Sequence, residues 1–423
     1  MMRSSNRGIY IHIPFCVRKC NYCAFLSSSA SDEAIEAYVE TLISEIAIRA
    51  IDGLDGSSCD TIYFGGGTPS LLTEEQLGRI LTVITDRFGI QPNAEITLEA
   101  NPGTLGETDE EALESFCAYK RLGINRLSMG VQSMNDDRLG FLGRIHSVQD
   151  VKRDFALARQ AGFANISLDI ISAIPGESLD DVLLDIKEIC ELGPEHISFY
   201  TLQIEEGTPF YKWWEEGKLH EIPDELDRQM YHEGCKVIES YGYKQYEISN
   251  FAKRGYESLH NSKYWDMSEY IGLGLGASGF IRGERYCNLT NIDEYKEATE
   301  EGKLPVLEVV KNTDWDNVSE AVFTGLRREA GIKYGQIRQI CEEMKRSRDE
   351  ASDESLDEAC DEGLNEACDE ALNDKEWFWE IFAESYDEFA SFAKGGFVEM
   401  ENDGIRLTRK GIDISNKILE LFV

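Results

Sequence analysis

Between Gly8 and about Tyr200 short β-rich runs alternate with longer amphipathic helical patterns. This alternation constrains the fold more than any other feature. Strands separated by that much helical sequence run parallel and are joined by crossovers, which gives a sheet flanked by helices. Six runs read as strands: Ile9 to Ile13, Thr61 to Phe64, Glu95 to Glu99, Arg126 to Met129, Asn165 to Ile170 and His196 to Tyr200. Helical patterns fill the gaps, at Asp32 to Ala50, Glu74 to Phe88, Glu110 to Leu122, Val148 to Ala161 and Leu179 to Leu192. Six such βα units predict an α/β fold of the incomplete-barrel type.

Ligands of such folds sit at the carboxyl ends of the strands, so the residues there are the candidates. The second strand runs into Gly65-Gly66-Gly67-Thr68-Pro69, where absent Cβ atoms let backbone approach a ligand, although a tight turn would use the same residues. The third strand ends in Glu99, the fourth is followed by Gln132 and the fifth carries Asp169. Turn chemistry alone would favour Gly, Asn and Pro at these places, so three hydrogen-bonding side chains on one rim point to a polar ligand.

Cys16, Cys20 and Cys23 follow the first strand with the spacing CxxxCxxC. Three thiolates so placed can hold a 4Fe-4S cluster and leave one iron without a protein ligand. A zinc site completed by His12, or three unrelated core thiols, would use the same residues. The other eight of the eleven cysteines are scattered singly and read as buried reduced thiols.

The 423 residues carry 42 Lys and Arg against 79 Asp and Glu, a formal charge of −37, which disfavours general affinity for nucleic acid or anionic lipid. No run of about 18 uncharged apolar residues is present, so membrane insertion is not expected. The eight residues before the first strand are too few for a signal or transit peptide, and a cytoplasmic location is the expectation. The length and 42% hydrophobic content allow two or three domains.

Beyond residue 205 the alternation stops and a helix-rich segment, Asp224 to Tyr241, leads to His260-Asn261-Ser262-Lys263-Tyr264-Trp265. A neutral imidazole among aromatic rings suits an iron porphyrin, but a lone histidine in such company is more commonly a hydrogen-bonded core residue. The glycine-rich run from Gly272 to Gly279 receives no role. Residues 349–374 read DEASDESL, DEACDEGL, NEACDEAL, with twelve acids and no base. An eight-residue period drifts by about 80° per repeat on an α-helix, so its leucines make no straight stripe and a solvated insertion is expected. Neighbouring carboxylates disfavour thiolate formation at Cys360 and Cys368, so metal binding there is not expected.

These residues carry a resemblance. Tyr10, His12, Pro14, Phe15, the cysteine triad, GGGTP at 65 to 69 and Gly130-Val131-Gln132 resemble the radical S-adenosylmethionine superfamily, in its coproporphyrinogen dehydrogenase branch. Within that branch Phe25 resembles the heme chaperones called HemW, where the dehydrogenases carry a fourth cysteine, and the nine residues before Tyr10 are shorter than the dehydrogenases' arm. The resemblance implies a partial (β/α)6 radical SAM barrel over residues 1–205, a family-specific extension over 206–340, the acidic insertion over 341–376 and a smaller, mainly helical C-terminal domain over 377–423. It implies that Cys16, Cys20 and Cys23 ligate a 4Fe-4S cluster whose open iron chelates S-adenosylmethionine. Gly66, Gly67 and Thr68 would meet the amino acid moiety, Glu99 the nucleoside or amino group, and Tyr10 and Tyr22 would pack near the cluster. Gln132, Arg144 and Asp169 match further positions that contact S-adenosylmethionine, although Arg144 by itself reads equally as a surface group. His260, in the HNxxYW hallmark, would bind heme. The implied function is transfer of heme to acceptor hemoproteins, with an electron donor for the cluster and a homodimer left open. The rival is radical decarboxylation of coproporphyrinogen III, and a zinc-stabilised interaction protein is a third reading.

Overall fold

The computed structural model describes residues 6–51, 58–351 and 372–422. β1 (Arg7–Ile13), β2 (Cys59–Gly66), β3 (Ile90–Ala100), β4 (Arg126–Gln132), β5 (Ile166–Ser172) and β6 (His196–Thr201) pair in sequence order, all parallel. The period of two along each strand separates two environments. Ile9, Ile11, Ile13, Ile62, Phe64, Leu98 and Leu127 are fully buried in the main core, each contributing roughly 1.5–3 kcal/mol. The alternate positions are polar: Tyr10 stands opposite Tyr63, Tyr63 opposite Thr97, Thr97 opposite Arg126, and Asp169 opposite Ser198. The inner face of the strands, and not only their ends, is therefore available for chemistry.

The crossover helices start where short polar side chains can satisfy their free N–H groups. Thr73, Thr108, Ser147 and Ser178 each form a reciprocal capping box with the residue three positions on. The Thr108 cap starts its helix at Asp109, one residue before the expected Glu110. A seven-residue helix, Asp136–Leu142, capped by Asn135, is too short to show a period in the sequence.

Beyond residue 205, where the alternation is expected to stop and a helix-rich segment to follow, strands return. β7 (Lys244–Gln245) and β8 (Asn250–Ala252) add to the β6 edge in antiparallel fashion. β9 (Tyr270–Leu273) lies parallel to β1 at the other edge, and β10 (Ser278–Ile281), β11 (Glu284–Asn288) and β12 (Val306–Lys311) follow antiparallel. One twelve-stranded sheet results, in the order β12-β11-β10-β9-β1-β2-β3-β4-β5-β6-β8-β7. These additions were hidden because most are two to five residues long and their pairing is set by distant partners. The chain passes between the two edges through the helix Leu259–Trp265, which brings HNxxYW against the inner face.

The segment expected at 206–340 is thus divided. Its first part completes the sheet, while the helix Asp314–Gly325 and β13 (Ile332–Lys333) join the C-terminal residues. There β13, β14 (Val398–Met400) and β15 (Gly404–Leu407) form a small sheet, and Tyr334, Trp377, Phe378, Phe382, Phe389 and Phe422 form a second core. That core includes Met267, Tyr270 and Phe280, so the small unit packs on the β9–β10 edge. The acidic repeat lies largely outside the described residues, with Cys360 and Cys368. Among the described residues no helix is long and apolar enough to cross a membrane.

Candidate cluster and cofactor site

The loop after β1 carries the three thiols, none of them in a disulfide and all partly exposed. It is held to the glycine run by main-chain bonds: the Gly67 N–H donates to Ile13 O at 2.8 Å and the Thr68 N–H to Phe15 O at 2.7 Å. A Cβ on Gly67 would lie 2.5 Å from Phe15 O, and one on Gly66, at φ +109°, 2.5 Å from the His12 ring. Close approach therefore requires glycine at both positions, and at Gly66 conformation requires it as well.

From there a chain of hydrogen bonds reaches the sulfurs. Arg144 donates to Cys20 Sγ at 3.4 Å, to Asn101 Oδ1 at 2.6 Å and to Gly130 O at 2.7 Å. Asn101 Nδ2 donates to the Thr68 hydroxyl at 2.8 Å, which donates to Cys16 Sγ at 3.5 Å. Arg144 is thus no solvated surface group. Tyr22 sits beside Arg144, with its phenol pushed up by burial, and burial also raises the Cys23 thiol.

Glu99 accepts from the Tyr63 hydroxyl at 2.9 Å and from the Gly66 N–H at 3.1 Å. Burial, reinforced by the charge of Asp169, pushes its carboxyl up to about 7 against the pull of those two bonds. Asp169 is also raised by burial and accepts from Ser128 and Ser167. Gln132 adopts φ 71° at the end of β4, and Ala173 φ 60° just past β5, a left-handed conformation uncommon for non-glycine residues. The Gln132 amide nitrogen lies 2.8 Å from the place a Cβ on Gly130 would occupy, on the Asn101 and Arg144 side of the rim.

Tyr10, Gly66 and Glu99 line one end of a cavity of about 500 Å³. Tyr63, Tyr200, Tyr264 and Trp265 supply aromatic wall, Phe25 joins them at 69% exposure, and Glu247, Asn250 and Arg327 line it as well.

His12 and His260 are both occupied. The His12 Nε2–H donates to Leu26 O at 2.8 Å and Nδ1 accepts from Tyr10 at 3.0 Å, which leaves no nitrogen for a zinc ion. His260 has no exposed surface; its Nδ1 pairs with the Thr61 hydroxyl and its Nε2 with the Tyr264 hydroxyl, each at 2.9 Å. Burial pushes it down to about 3, so it is neutral. The axial-ligand expectation does not match this position: iron could reach His260 only by displacing one of those partners.

Residues 10–189 match the Radical SAM superfamily. The chain is 38% identical over 339 residues to the heme chaperone HemW of Bacillus subtilis, a match covering 78% of this chain and 87% of that one. This chain belongs to the HemW family. It is also 36% identical to the heme chaperone HemW of Lactococcus lactis, over 78% of this chain and 84% of the relative. Coproporphyrinogen III oxidase (HemN) from Escherichia coli shares the fold, with a TM-score of 0.78 at 22% identity over 100% of this chain and 91% of the other.

Membership of the radical SAM superfamily implies a 4Fe-4S cluster and S-adenosylmethionine, and the residues present fit both. Three unpaired thiols form the donor set, Arg144 brings a cation to offset thiolate charge, and bare backbone at Gly66 and Gly67 leaves room at the rim. In this HemW-family chain the sequence reasoning missed Asn101, which ties Arg144 to Thr68, and Tyr63, which holds Glu99. Their signal was positional, since Asn101 lies two residues past Glu99 at the end of β3 and Tyr63 two before the glycine run. Arg126, on the inner face and 1% exposed beside the charges of Glu95 and Asp169, was also missed.

Proposed function

We propose that this chain is a heme chaperone that holds a 4Fe-4S cluster on Cys16, Cys20 and Cys23, binds S-adenosylmethionine at the adjoining rim and passes heme to acceptor hemoproteins. One observation carries the reading: the rim residues Gly66 and Glu99, next to the thiol loop, also line a cavity of about 500 Å³ with six aromatic side chains in its wall. That volume lies within the ~300–1,000 Å³ usual for cofactor sites, and flat aromatic walls suit a macrocycle. The B. subtilis and L. lactis relatives, both named heme chaperones, support the same assignment.

When bound, the cluster would supply one electron and an iron free to chelate the amino and carboxylate groups of S-adenosylmethionine. Gly66, Gly67 and Thr68 would meet the amino acid moiety, Glu99 would take the amino group or ribose, and Gln132, Arg144 and Asp169 would complete the rim. Tyr10 would pack between cluster and cavity, and Tyr22 would shield Arg144. His260 would act as a positioning residue, holding the Tyr264 ring in the cavity wall. An electron donor for the cluster, self-association as a homodimer and a cytoplasmic setting that keeps the thiols reduced belong to the same proposal.

Anaerobic reconstitution with iron and sulfide, followed by addition of heme, coproporphyrinogen III or an apo-hemoprotein, tests it. The expected result is a single heme retained per chain, its transfer to the apoprotein and no protoporphyrinogen. Formation of protoporphyrinogen would establish the dehydrogenase instead, and failure to retain heme would end the chaperone reading.

A further inference from the structure

Four residues of the cavity wall, Glu247, Asn250, Trp265 and Arg327, each hold one side-chain polar atom that is buried behind the wall without a hydrogen-bond partner. What the wall turns to the cavity is the partly exposed end of Arg327, the one Lys or Arg side chain among the described residues of its lining. The Glu99 end differs, because both carboxylate oxygens there already have protein donors.

Arg327 is the cation of the cavity wall. It follows the helix Asp314–Gly325, and its guanidinium stacks on the Phe323 ring at 4.8 Å, which orients the planar group. The neighbouring cleft of about 190 Å³ also holds Arg406 and Arg409, but their charges are already met by Glu399 and Glu239. Among the described residues Arg327 is in no ion pair within 4.0 Å; Glu247, the carboxyl that acts on its charge, is raised by burial and turns to the Ser249 N–H at 3.3 Å and to Asn250.

We propose that Arg327 anchors a propionate of the bound heme at this wall of the cavity. The assignment rests on the heme reading above and extends it. A tetrapyrrole is a flat apolar disc carrying carboxylates on one edge, and a planar guanidinium matches a carboxylate in geometry as well as charge.

The test uses the full-length protein and the variants Arg327→Gln and Arg327→Lys, titrated with heme and with heme dimethyl ester and followed by the Soret band and tryptophan quenching. Arg327→Gln is expected to weaken heme binding about 10- to 100-fold, the range for losing a hydrogen bond to a charged group. Arg327→Lys should fall between, and esterification should weaken binding to the wild type but add nothing in Arg327→Gln. S-adenosylmethionine affinity and Tm, unchanged in Arg327→Lys, show that the rim and the fold are intact. Equal heme affinity in wild type and Arg327→Gln, or an ester penalty that persists in the variant, would overturn the assignment. If the wild type retains no heme, the chaperone reading falls separately, and the same cycle with protoporphyrin IX and its dimethyl ester decides Arg327; no binding of either would overturn it too.

Discussion

Replacing Glu99 by Gln should make the protein more stable above neutral pH while leaving it nearly unchanged in acid. Glu99 is raised from 4.5 to about 7 chiefly by burial, so the fold favours the protonated carboxyl. For a raised acid the contribution is fully present below the unfolded value of 4.5 and is lost as pH climbs through about 7. At 1.36 kcal/mol per unit the loss amounts to roughly 3 kcal/mol, an upper limit because the cavity lets water screen part of it. Glutamine keeps one oxygen for the Gly66 N–H, and its amide can donate to Tyr63 once that hydroxyl turns, so the neutral contacts largely survive. Urea unfolding of apo wild type and Glu99→Gln between pH 5 and 8.5, at fixed ionic strength, gives the difference curve. The two should agree within about 1 kcal/mol at pH 5, and above pH 7.5 the variant should lead by about 1–3 kcal/mol. Other raised acids, such as Glu177 at about 8, are present in both proteins and cancel. Parallel curves, with the gap changing by less than about 0.5 kcal/mol across the range, would refute the assigned burial cost.

Substituting Cys16, Cys20 or Cys23 by Ala should abolish the visible absorption of the reconstituted cluster, whereas Cys360→Ala and Cys368→Ala should retain it and the full iron content. Gly66→Ala puts a Cβ 2.5 Å from the His12 ring at φ +109°, so differential scanning fluorimetry should show a loss of more than about 1 kcal/mol together with lost S-adenosylmethionine affinity. His260→Ala strands Thr61 and Tyr264 in the interior and should cost about 2–4 kcal/mol in urea unfolding. A heme Soret band that keeps its position in His260→Gln would agree with a positioning role, and a shifted band would show direct ligation.

What the sequence determined by itself was local. The period of two in the first six strands, the 3.6-residue period of the crossover helices and the Thr and Ser caps are written in neighbouring residues, and the six-strand parallel core and five of its helices follow from them. The cysteine triad, the glycine run and Glu99 were legible because strand ends are where such folds put their chemistry. Only the tertiary structure decided the rest. The sheet grows to twelve strands because edge segments of two to six residues gain their order from distant partners. His260 becomes a buried core residue because Thr61, 199 positions away, and Tyr264 take its two nitrogens. Asn101, Tyr63, Glu247 and Arg327 acquire meaning only when the fold brings them to one rim and one cavity. A hydrogen bond, or its absence, is a property of a pair of atoms, and in this chain the pairs that shape the site mostly lie tens to hundreds of residues apart.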